Sequence, residues 1–454
     1  MRFSVGEIAR IVDGVPRGSL EATPVRAIHD SRLVRPGDLF VALRGARVDG
    51  HQYVQEAFSR GAVAVLAADP ARLPEEAPAA IVVASPLAAL QQLAVVWRGR
   101  LSGRIVGITG SHGKTTTRAL LAQILRARFA VHETPENFNS DIGLPLALLG
   151  MKEDDDLGVF ELGTERPGDI ALLAGILHPA IGLITGIGPS HLAHFGDLDS
   201  IADEKWSLIE SLSGDGLGII NGDDPLLRAR SGASRGQLLS VSAAGHSGAS
   251  LQAIGIRAEP FLELDTVQPP MRLRTALLGA HNASNVLLAA CCALQLGILP
   301  QDIEEVGPSF RPAAHRLVRH ARPWGTVIDD TYNANPVTTR AALRVLASCG
   351  NAGSRRLFVF GEMRDLGDDS ERLHRETAAA ALELGVDAIA PVGSLPAAAC
   401  EGLTAAKIIC TSREDLRDAV RSFLRGSQDV VLVKGSRALR MDVLVEDLIG
   451  AREV

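Results

Sequence analysis

The chain has 454 residues, of which 46 are Lys or Arg and 53 are Asp or Glu, so its formal net charge is −7. This mild acidity argues against a nucleic-acid-binding protein that relies on a broad basic face, because such a face neutralises many phosphates. The hydrophobic content of 46% is sufficient for buried cores and argues against a solvated, disordered chain. At about 100–200 residues per domain, the length indicates two to four domains.

Residues 1–100 form the first unit, a small α/β domain in which short apolar strands alternate with helical stretches. This unit has no glycine pattern of the ATP-binding type, so we expect it to bind a ligand rather than to carry out chemistry. The predicted strands are Val25–His29, Asp38–Leu43, Ala62–Leu66 and Ile81–Ala84, and the predicted helices are Gln52–Arg60 and Leu87–Arg98.

Residues 101–313 form the second unit, in which strands and helices alternate again. An apolar strand, Ile105–Thr109, runs into a glycine-rich loop and then into a helix, Lys114–Arg128. This alternation is typical of a doubly wound, mainly parallel sheet. The other predicted elements are the strands Gly158–Glu161, Ala180–Gly186 and Leu217–Asn221, a β-rich insertion at residues 245–275, the helix His281–Leu296 and the closing segment Asp302–Phe310.

Residues 314–454 form the third unit, which we predict to be a Rossmann-like, doubly wound α/β domain. The whole chain is therefore predicted to be a three-domain α/β protein with a P-loop-type parallel sheet at its centre. The predicted strands are Thr326–Asp329, Leu357–Phe360, Ala388–Val392, Lys407–Cys410 and Val430–Val433, and the predicted helices are Pro336–Ala347, Ser370–Leu384, Arg413–Leu424 and Leu439–Ile449.

The segment Ile170–Phe195 contains no Asp, Glu, Lys or Arg and has the length of a membrane span. Because it also contains two prolines, three histidines and four glycines, the pattern predicts a helix, a break and a buried strand instead. The N-terminal sequence MRFSVGEIARIVDG has no apolar signal-peptide core. We therefore expect a cytoplasmic protein without membrane insertion.

The motif GITGSHGKTTT at residues 107–117 is the strongest local signal. Its glycines allow backbone N–H groups to surround phosphates, its lysine adds a positive charge, and the following helix adds its dipole. The threonine after the lysine supplies a hydroxyl that can ligate Mg²⁺. The loop is shorter than the standard GxxxxGK[ST] pattern. The predicted nucleotide-binding residues here are Gly110, Ser111, His112, Gly113, Lys114, Thr115 and Thr116.

Three further polar residues follow the central strands. Glu161 and His191 come at the carboxyl ends of predicted strands, the edge at which open α/β sheets bind ligands. Glu161 is a candidate Mg²⁺ ligand, although a strand-end Glu is also commonly a cap or a surface residue. Lys205 lies on a predicted helix, and as an ammonium it would repel a metal. The residues alone therefore indicate a surface lysine, and only a carbamate formed with CO₂ would make it a ligand.

Taken together, the motifs resemble those of the Mur ligases, the ATP-dependent amide ligases that assemble the peptidoglycan peptide. The resemblance covers essentially the whole chain, because the strings TGSHGKTTT, ENFNSDIGLPLALL, FELGTERPGDI, HLAHFGDLDSIADEK, NGDD and LGAHNASN follow one another in family order. It implies that the protein uses ATP and Mg²⁺ and that Thr115, Glu161 and His191 are metal ligands. It also implies that Lys205 is carbamylated and contacts the metal.

The resemblance assigns further roles to individual residues. Asn282 and Asn285 are expected to contact the nucleotide base. Arg316 is expected to reach the phosphates from the C-terminal domain, and Asp330 to contact the nucleotide from the same side. The expected catalytic residues are Lys114, His191, Lys205 and Arg316, and the expected substrate-binding residues are Ser31, Arg32, Asp49, His51, Asn137, Asn139, Asn333 and Asn335.

Three C-terminal strings distinguish between members of the family. DTYNANP at residues 330–336, FGEMRDLGDDS at residues 360–370 and VKGSR at residues 433–437 resemble the members that add D-alanyl-D-alanine. The members that add the third residue typically carry DYAHTP-type and DNPR-type strings, and neither is present. The resemblance therefore implies a monomeric enzyme that joins D-Ala-D-Ala to UDP-MurNAc-tripeptide through an acyl phosphate. Its N-terminal domain would hold the UDP-sugar, and no nucleic acid is expected as a partner.

Two other functions stay open on the sequence. A P-loop ATPase would couple ATP hydrolysis to a partner. A Walker B strand, which ends in Asp, would favour that function, but the strand Val159–Glu161 ends in Glu. A sibling ligase, such as a third-residue adder or a folylpolyglutamate synthase, would use a different acceptor. Because the nucleotide and acceptor groups are expected on different domains, we also predict that domain closure assembles the site.

Overall fold

The protein is described by a computed structural model that covers residues 1–45, 48–135, 137–234, 236–351, 353–403, 406–408, 410 and 412–450. The strands form three sheets that follow one another along the chain, at residues 15–82, 104–274 and 318–434, with helices packed on them. This arrangement confirms the predicted three-domain α/β fold. The exact domain boundaries, at residues 100/101 and 313/314, stay predictions.

The first sheet has five strands among the described residues. Its elements are the helix α1 (Val5–Ile11), the strands β1 (Val15–Gly18), β2 (Arg26–Ile28) and β3 (Asp38–Val41), the helix α2 (Val54–Ser59), the strands β4 (Ala64–Ala67) and β5 (Ala79–Val82), and the helix α3 (Pro86–Arg98). The order is β1-β5-β4-β3-β2, with β1 antiparallel to β5 and the other pairs parallel. The sequence does not predict β1, because all four of its residues are exposed and give no apolar alternation.

The central sheet has nine strands in the described part of the chain. Its elements are β6 (Arg104–Thr109), α4 (Lys114–Leu125), β7 (Val131–Glu133), α5 (Gly143–Gly150), β8 (Leu157–Glu161), α6 (Asp169–Leu177), β9 (Ile181–Ile184), α7 (Leu192–Phe195), α8 (Leu198–Glu210), β10 (Leu217–Asn221), α9 (Pro225–Arg230), β11 (Gln237–Ser242), β12 (Leu251–Arg257), β13 (Glu263–Thr266), β14 (Arg272–Arg274), α10 (Asn282–Gln295) and α11 (Pro300–Val306). The order is β14-β13-β12-β11-β10-β9-β6-β8-β7, and β12, β13 and β14 pair antiparallel. The predicted β-rich insertion is confirmed.

The register of the central strands fixes the position of the site. β6 pairs in parallel with β8 on one side and with β9 on the other. Ile108 lies opposite Glu161, and Thr109 lies opposite Ile184. The glycine-rich loop, Glu161 and the segment after β9 therefore begin at one edge of the sheet, as expected from the carboxyl ends of parallel strands.

The third sheet has six strands among the described residues, in the order β15-β16-β20-β17-β18-β19. Its elements are β15 (Val318–Arg322), β16 (Gly325–Asp330), α12 (Pro336–Ser348), β17 (Arg356–Gly361), α13 (Ser370–Glu383), β18 (Ala388–Val392), α14 (Ser394–Ala399), β19 (Ala406–Lys407), α15 (Arg413–Phe423), β20 (Val430–Lys434) and α16 (Asp442–Gly450). The sheet is parallel except for the hairpin of β15 and β16. The strand predicted at residues 407–410 is observed at Ala406–Lys407, and residue 409 lies outside the described part.

The charge-free segment Ile170–Phe195 folds as predicted into the helix α6, a break and the buried strand β9. Across the described ranges, no helix combines the length and apolar character that crossing a membrane requires.

The N-terminal and central domains share one hydrophobic core. In it, α3 packs against α5 and α6, and the indole N–H of Trp97 donates to the carbonyl oxygen of Met151 at 3.0 Å. The C-terminal domain builds its cores mainly from its own residues. At the site, it meets the central domain through polar side chains. Polar contacts can be replaced by contacts with water more easily than a shared hydrophobic core can be separated. We therefore expect the third domain to be the one that moves if the domains close, and this closure stays a prediction.

Candidate active site

A cavity of about 710 Å³ lies between the carboxyl edge of the central sheet and the C-terminal domain. The residues that line it come from distant parts of the chain, so the fold brings together side chains that are far apart in sequence. The predicted site residues that line it are Ser111, His112, Gly113, Lys114, Thr115, Asn137, Asn139, Glu161, His191, Arg316, Asn333 and Asn335.

The glycine-rich loop leaves no room for side chains at two positions. A Cβ atom on Gly110 would lie 2.0 Å from Oγ1 of Thr185, and one on Gly113 would lie 2.3 Å from Oδ1 of Asn285. Both glycines have positive φ angles, +148° and +80°, of which the second lies in the left-handed region that favours glycine. The loop is therefore built to bring backbone N–H groups close to a ligand at the start of α4.

Polar groups in and beside the glycine-rich loop are available for a phosphate. The ammonium of Lys114 donates to the carbonyl oxygen of Gly110 at 2.6 Å, within its own loop. Oγ of Ser111 and Nε of Arg316 are buried without a hydrogen-bond partner in the described chain. Buried polar atoms are rarely left unpaired. This set of donors therefore fits a ligand rich in acceptor oxygens, such as a polyphosphate.

Thr115 and Glu161 form the oxygen-rich part of the cavity. The hydroxyl of Thr115 donates to Oε2 of Glu161 at 3.0 Å, and Nδ2 of Asn139 donates to Oε1 at 2.9 Å. A hydroxyl and a carboxylate are donors that Mg²⁺ prefers, and Mg²⁺ usually completes its shell with phosphate and water. Within the described residues no group of three His, Cys, Asp or Glu could hold a metal by itself. The pair therefore fits a Mg²⁺ ion that is shared with phosphates.

His191 lines the same cavity, at the start of α7, with a left-handed φ of +55°. Burial lowers the pKa of His191, and the nearby carboxylate of Asp365 acts in the opposite direction. Because Asp365 belongs to the C-terminal domain, the imidazole faces a charge from across the domain interface. Neutral imidazole is the form that ligates metals.

The interpretation of Lys205 as a surface lysine is wrong. The side chain is buried in the middle of α8, and it makes no hydrogen bond or ion pair with the described residues. Burial, followed by the charge of Lys114, lowers its pKa to about 7. Ile201 and Leu208, four residues before and three after, are also buried, so the helical spacing already placed Lys205 on the inward face. Lys205 does not line the cavity, but it lies close enough to the glycine-rich loop for the charge of Lys114 to lower its pKa.

Asn282 and Asn285 lie behind the glycine-rich loop and do not line the cavity. Nδ2 of Asn285 donates to Oδ1 of Asn282 at 2.8 Å, and the hydroxyl of Thr117 donates to Oδ1 of Asn285 at 3.3 Å. Burial lowers the pKa of the adjacent His281 to about 4. The structure thus shows this pair bracing α4, and its contact with a nucleotide base stays a prediction.

Arg316 reaches the loop from the C-terminal domain. Its Nη2 donates to Oγ1 of Thr115 at 3.3 Å, and its guanidinium stacks over the ring of Tyr332 with 3.9 Å between guanidinium carbon and ring centroid. The hydroxyl of Tyr332 donates to Oδ1 of Asn137 in the central domain. Arg316 therefore lies beside the glycine-rich loop, and its contact with phosphates stays a prediction.

The other residues expected in the C-terminal domain lie at the end of β16 and on the loop that follows it. Asp330 is buried, pairs with Lys434 and does not line the cavity. Oδ1 of Asn333 accepts from the backbone N–H of Ala334 at 2.8 Å, and Asn335 caps α12. Both asparagines therefore shape the cavity wall, whereas Asp330 anchors the loop from behind.

The four residues expected to bind the UDP-sugar lie on the first sheet's loops, away from the cavity. Oγ of Ser31 donates to Oε2 of Glu56 at 2.9 Å, and Arg32 pairs with Asp30 at 2.6 Å. Nδ1 of His51 lies 2.6 Å from Oδ1 of Asp49, and its Nε2 accepts from a backbone N–H. Since both ring nitrogens are engaged within the protein, the structure shows His51 holding its loop.

Sequence reasoning missed several charged and aromatic residues that line the cavity. Among them are Arg166, Tyr332, Arg364, Asp365 and Arg437. All five lie inside strings already noted as motifs, namely TERPGDI, DTYNANP, FGEMRDLGDDS and VKGSR. The signal was thus present, but only Asp330, Asn333 and Asn335 of these strings were assigned roles from the sequence.

Comparison with protein families matches three consecutive parts of the chain. Residues 28–98 match the Mur ligase family catalytic domain, residues 108–293 the Mur ligase middle domain, and residues 315–437 the Mur ligase glutamate ligase domain. The three matches follow the order of the three sheets.

Individual relatives agree with these matches. The UDP-N-acetylmuramoyl-tripeptide–D-alanyl-D-alanine ligase of Bacillus subtilis is 33% identical over 99% of both chains. A crystal structure of MurF from Acinetobacter baumannii has a TM-score of 0.90, at 28% identity over 99% of both chains. MurF from Thermotoga maritima in complex with ADP has a TM-score of 0.80, at 26% identity over 94% of this chain and 97% of that one.

Proposed function

This chain belongs to the Mur ligase family, and we propose that it joins D-alanyl-D-alanine to UDP-MurNAc-tripeptide with cleavage of ATP to ADP and phosphate. The relative from Bacillus subtilis, 33% identical over 99% of both chains, is a UDP-N-acetylmuramoyl-tripeptide–D-alanyl-D-alanine ligase, and MurF from Acinetobacter baumannii has the same fold over 99% of both chains. One observation of the structure carries the proposal furthest. The C-terminal domain, which holds the strings typical of these members, places Arg316 3.3 Å from Thr115 of the nucleotide loop.

The polyphosphate of ATP would bind at the start of α4. The glycines allow the loop backbone to approach the phosphates closely. Lys114 would donate to phosphate oxygens instead of the carbonyl oxygen of Gly110. The unpaired Oγ of Ser111 and Nε of Arg316 would donate to phosphate oxygens as well. These fixed donors would stabilise the charge that spreads over the transferred phosphoryl group. The structure of the Thermotoga maritima relative in complex with ADP supports nucleotide binding by this chain.

Thr115 and Glu161 would hold Mg²⁺, with His191 and a carbamylated Lys205 as further ligands. When bound, the ion would neutralise charge on the phosphates. The burial of Lys205 without an anionic hydrogen-bond partner supports the carbamate, because an amine in that position is better accommodated without its positive charge. In the modification, the neutral amine of Lys205 attacks the carbon of CO₂, an N–C bond forms, and one proton is released to solvent.

The chemistry would proceed in two steps. A carboxylate oxygen of the tripeptide attacks the γ-phosphorus, the bond to the β-phosphate oxygen breaks, and ADP leaves. The amine of the dipeptide then attacks the acyl carbon, the C–N bond forms, and the C–O bond to phosphate breaks. The ammonium nitrogen gives up two protons in total, one to the departing phosphate and one to solvent. Arg316 and Lys114 would face the transferred group from two domains, so closure would also exclude water.

The UDP part of the substrate would bind the N-terminal domain. Asp49 caps the turn that begins at Gly50, and Ser31 and Arg32 follow a neighbouring strand, so these loops lie at one edge of the first sheet. The direct contacts of Ser31, Arg32, Asp49 and His51 with the sugar nucleotide are part of the proposal.

One assay tests the proposed function. The protein is incubated with ATP, Mg²⁺, UDP-MurNAc-tripeptide and D-Ala-D-Ala, and the pentapeptide product is sought by mass spectrometry. One parallel reaction omits D-Ala-D-Ala. Another replaces the two substrates with UDP-MurNAc-dipeptide and either lysine or diaminopimelate. Pentapeptide formed only in the complete reaction supports the proposal. Release of phosphate without pentapeptide would indicate an ATPase. A ligation product formed only from UDP-MurNAc-dipeptide and a free amino acid would indicate a third-residue adder.

A further inference from the structure

The segment that joins the central sheet to the third sheet presents Arg316 between two residues of unusual backbone conformation. His315 has a φ angle of +59°, and Leu317 has a φ angle of +52°. Residues other than glycine are uncommon in this left-handed region, and a bulky residue such as leucine is a clear exception there. Because both neighbours of Arg316 are strained in this way, contacts elsewhere in the fold must hold them.

A buried carboxylate holds the side chain of His315. Nδ1 of His315 donates to Oδ2 of Asp329 at 2.8 Å, since a carboxylate only accepts hydrogen bonds. Asp329 is itself fixed, because its Oδ1 accepts from the backbone N–H of Thr331 at 3.1 Å and from the hydroxyl of Thr331 at 2.7 Å. Asp329 is 3% exposed, so these hydrogen bonds satisfy a carboxylate that water scarcely reaches. The imidazole of His315 is therefore anchored to the end of β16.

The backbone on both sides of Arg316 is tied to the same part of the chain. The carbonyl oxygen of His315 accepts from the backbone N–H of Tyr332 at 3.2 Å. The backbone N–H of Leu317 donates to Oδ1 of Asp330 at 3.2 Å. The ring of Tyr332 also stacks with the guanidinium of Arg316. Each of the residues 315, 316 and 317 is thus held by the end of β16 or by the loop that follows it.

This arrangement leaves the guanidinium of Arg316 available for a ligand. The two carboxylates at the end of β16 are engaged by other partners, Asp329 by His315 and Asp330 by Lys434. Arg316 makes no ion pair with the residues that the structure describes, and its Nε has no hydrogen-bond partner among them. Its charge is therefore not neutralised by a carboxylate and can act on phosphate oxygens at the glycine-rich loop.

We propose that His315 and Asp329 are positioning residues, whose hydrogen bond holds Arg316 at the place where the phosphoryl group is transferred. This inference rests on the proposed function and adds two residues to it. Neither His315 nor Asp329 lines the cavity, so both would act through Arg316. A displacement of about 1 Å in a group that faces the transition state can lower a rate roughly 100-fold. A shift of Arg316 away from the glycine-rich loop should therefore slow the reaction without weakening the binding of the other two substrates.

A double-mutant cycle tests whether His315 acts through Arg316. His315→Asn removes the hydrogen bond to Asp329 and suits the left-handed backbone, because asparagine, like histidine, adopts it more readily than most residues. This variant should lower kcat/KM for ATP about tenfold, and the KM values for D-Ala-D-Ala and UDP-MurNAc-tripeptide should stay within about twofold of the wild type. In an Arg316→Lys background the same substitution should change kcat/KM less than about twofold. A further tenfold loss in that background would overturn the inference.

A second variant and a control separate positioning from a general loss of structure. Asp329→Asn keeps an acceptor for Thr331, so it should lower kcat/KM for ATP by a smaller factor, about threefold, and again only while Arg316 is present. His320→Asn is the matched control, because this neighbouring histidine does not line the cavity and makes no hydrogen bond with the described residues. It should behave as the wild type, and urea unfolding checks that all variants are folded under assay conditions. Wild-type kinetics in both His315→Asn and Asp329→Asn would also overturn the inference.

Binding of an ATP analogue distinguishes a failure of this inference from a failure of the proposed function. AMP-PCP, which cannot transfer its γ-phosphoryl group, is titrated with Mg²⁺ into the four proteins of the cycle. If the affinities are non-additive but the wild type makes no pentapeptide, the positioning role is supported and the proposed function is contradicted. If affinities and kinetics are both additive and the wild type makes pentapeptide, the positioning role alone is overturned.

Discussion

The Nζ atom of Lys434 lies 2.6 Å from Oδ2 of Asp330, and both side chains are buried. The same ammonium donates to the carbonyl oxygen of Asn333 at 2.8 Å, and Oδ1 of Asp330 accepts from the backbone N–H of Leu317 at 3.2 Å. The pair therefore joins the ends of β16 and β20 and fixes the loop that follows β16. This loop carries Tyr332, so a buried ion pair supports a residue that faces the cavity.

Replacing Lys434 with methionine should lower the free energy of unfolding by about 3 kcal/mol or more, because the carboxylate of Asp330 would stay buried without its partner. Urea unfolding measures the change. Lys152→Met is the control, since Lys152 is exposed. Adding Asp330→Asn to the first variant should recover part of the loss. A single Lys434→Met variant as stable as the control would contradict the buried pair.

Gly113→Ala should abolish nucleotide binding by clash rather than by backbone strain alone. The new Cβ would lie 2.3 Å from Oδ1 of Asn285, so the loop or α10 must shift. Gly385→Ala separates the two effects, because Gly385 has a similar φ of +76° but nothing within 4 Å of the added Cβ. Titration with ADP should show no binding to the first variant and wild-type affinity for the second. Equal affinities would contradict a tightly fitted loop.

Tyr332 contributes through its ring and through its hydroxyl, and two variants separate these contributions. Tyr332→Phe keeps the ring beneath Arg316 and loses the hydrogen bond to Asn137. Tyr332→Leu loses both. If the stacking positions Arg316, kcat should fall by about tenfold in the leucine variant and by only a few-fold in the phenylalanine variant. Equal losses in the two variants would assign the effect to the hydroxyl.

The sequence predicted that the glycine-rich loop, Glu161 and His191 would lie at one edge of the central sheet, because parallel strands end at one edge. The glycine-rich loop follows the strand Ile105–Thr109, and Glu161 and His191 come at or after the ends of two other strands. Because these strands are parallel, their ends lie at the same edge, and the three groups line one cavity. Lys205 shows a signal that was present and missed, since its spacing from buried Ile201 and Leu208 is that of an inward helix face.

The rest depended on tertiary contacts that leave no local pattern. β15, which alternates half-buried and exposed residues in a charged sequence, is placed in the sheet by its hairpin with β16. The sequence likewise gave no sign that Asp330 would be engaged by Lys434, 104 residues further along the chain. Whether a charge is free or paired is decided by folding, so this pairing could not be predicted.

Lys205→Ala should lower ligase activity by more than about 100-fold if a carbamate on Lys205 contributes to the metal site. A short carboxylic acid such as acetate or propionate should restore part of the activity, because its carboxylate can occupy the space of the missing group. Lys152→Ala should behave as the wild type. Binding of ADP checks that the variant is folded. Full activity of Lys205→Ala in buffer without any such acid would refute the carbamate.

The unmodified amine of Lys205 should leave its own mark on stability. Burial lowers its pKa from 10.5 to about 7, so between these pH values the unfolded chain binds a proton that the folded chain does not. Below this range the folded protein holds a buried charged amine, which lowers the free energy of unfolding. That cost is removed as the pH rises through the range, so the free energy of unfolding increases with pH there. In CO₂-free buffer, Lys205→Met should thus be stabilised relative to the wild type more at pH 6 than at pH 10. Urea unfolding of both proteins at the two pH values measures this difference, in which the contributions of the other lysines cancel. A difference that does not change with pH would mean that the folded protein does not lower the pKa of Lys205.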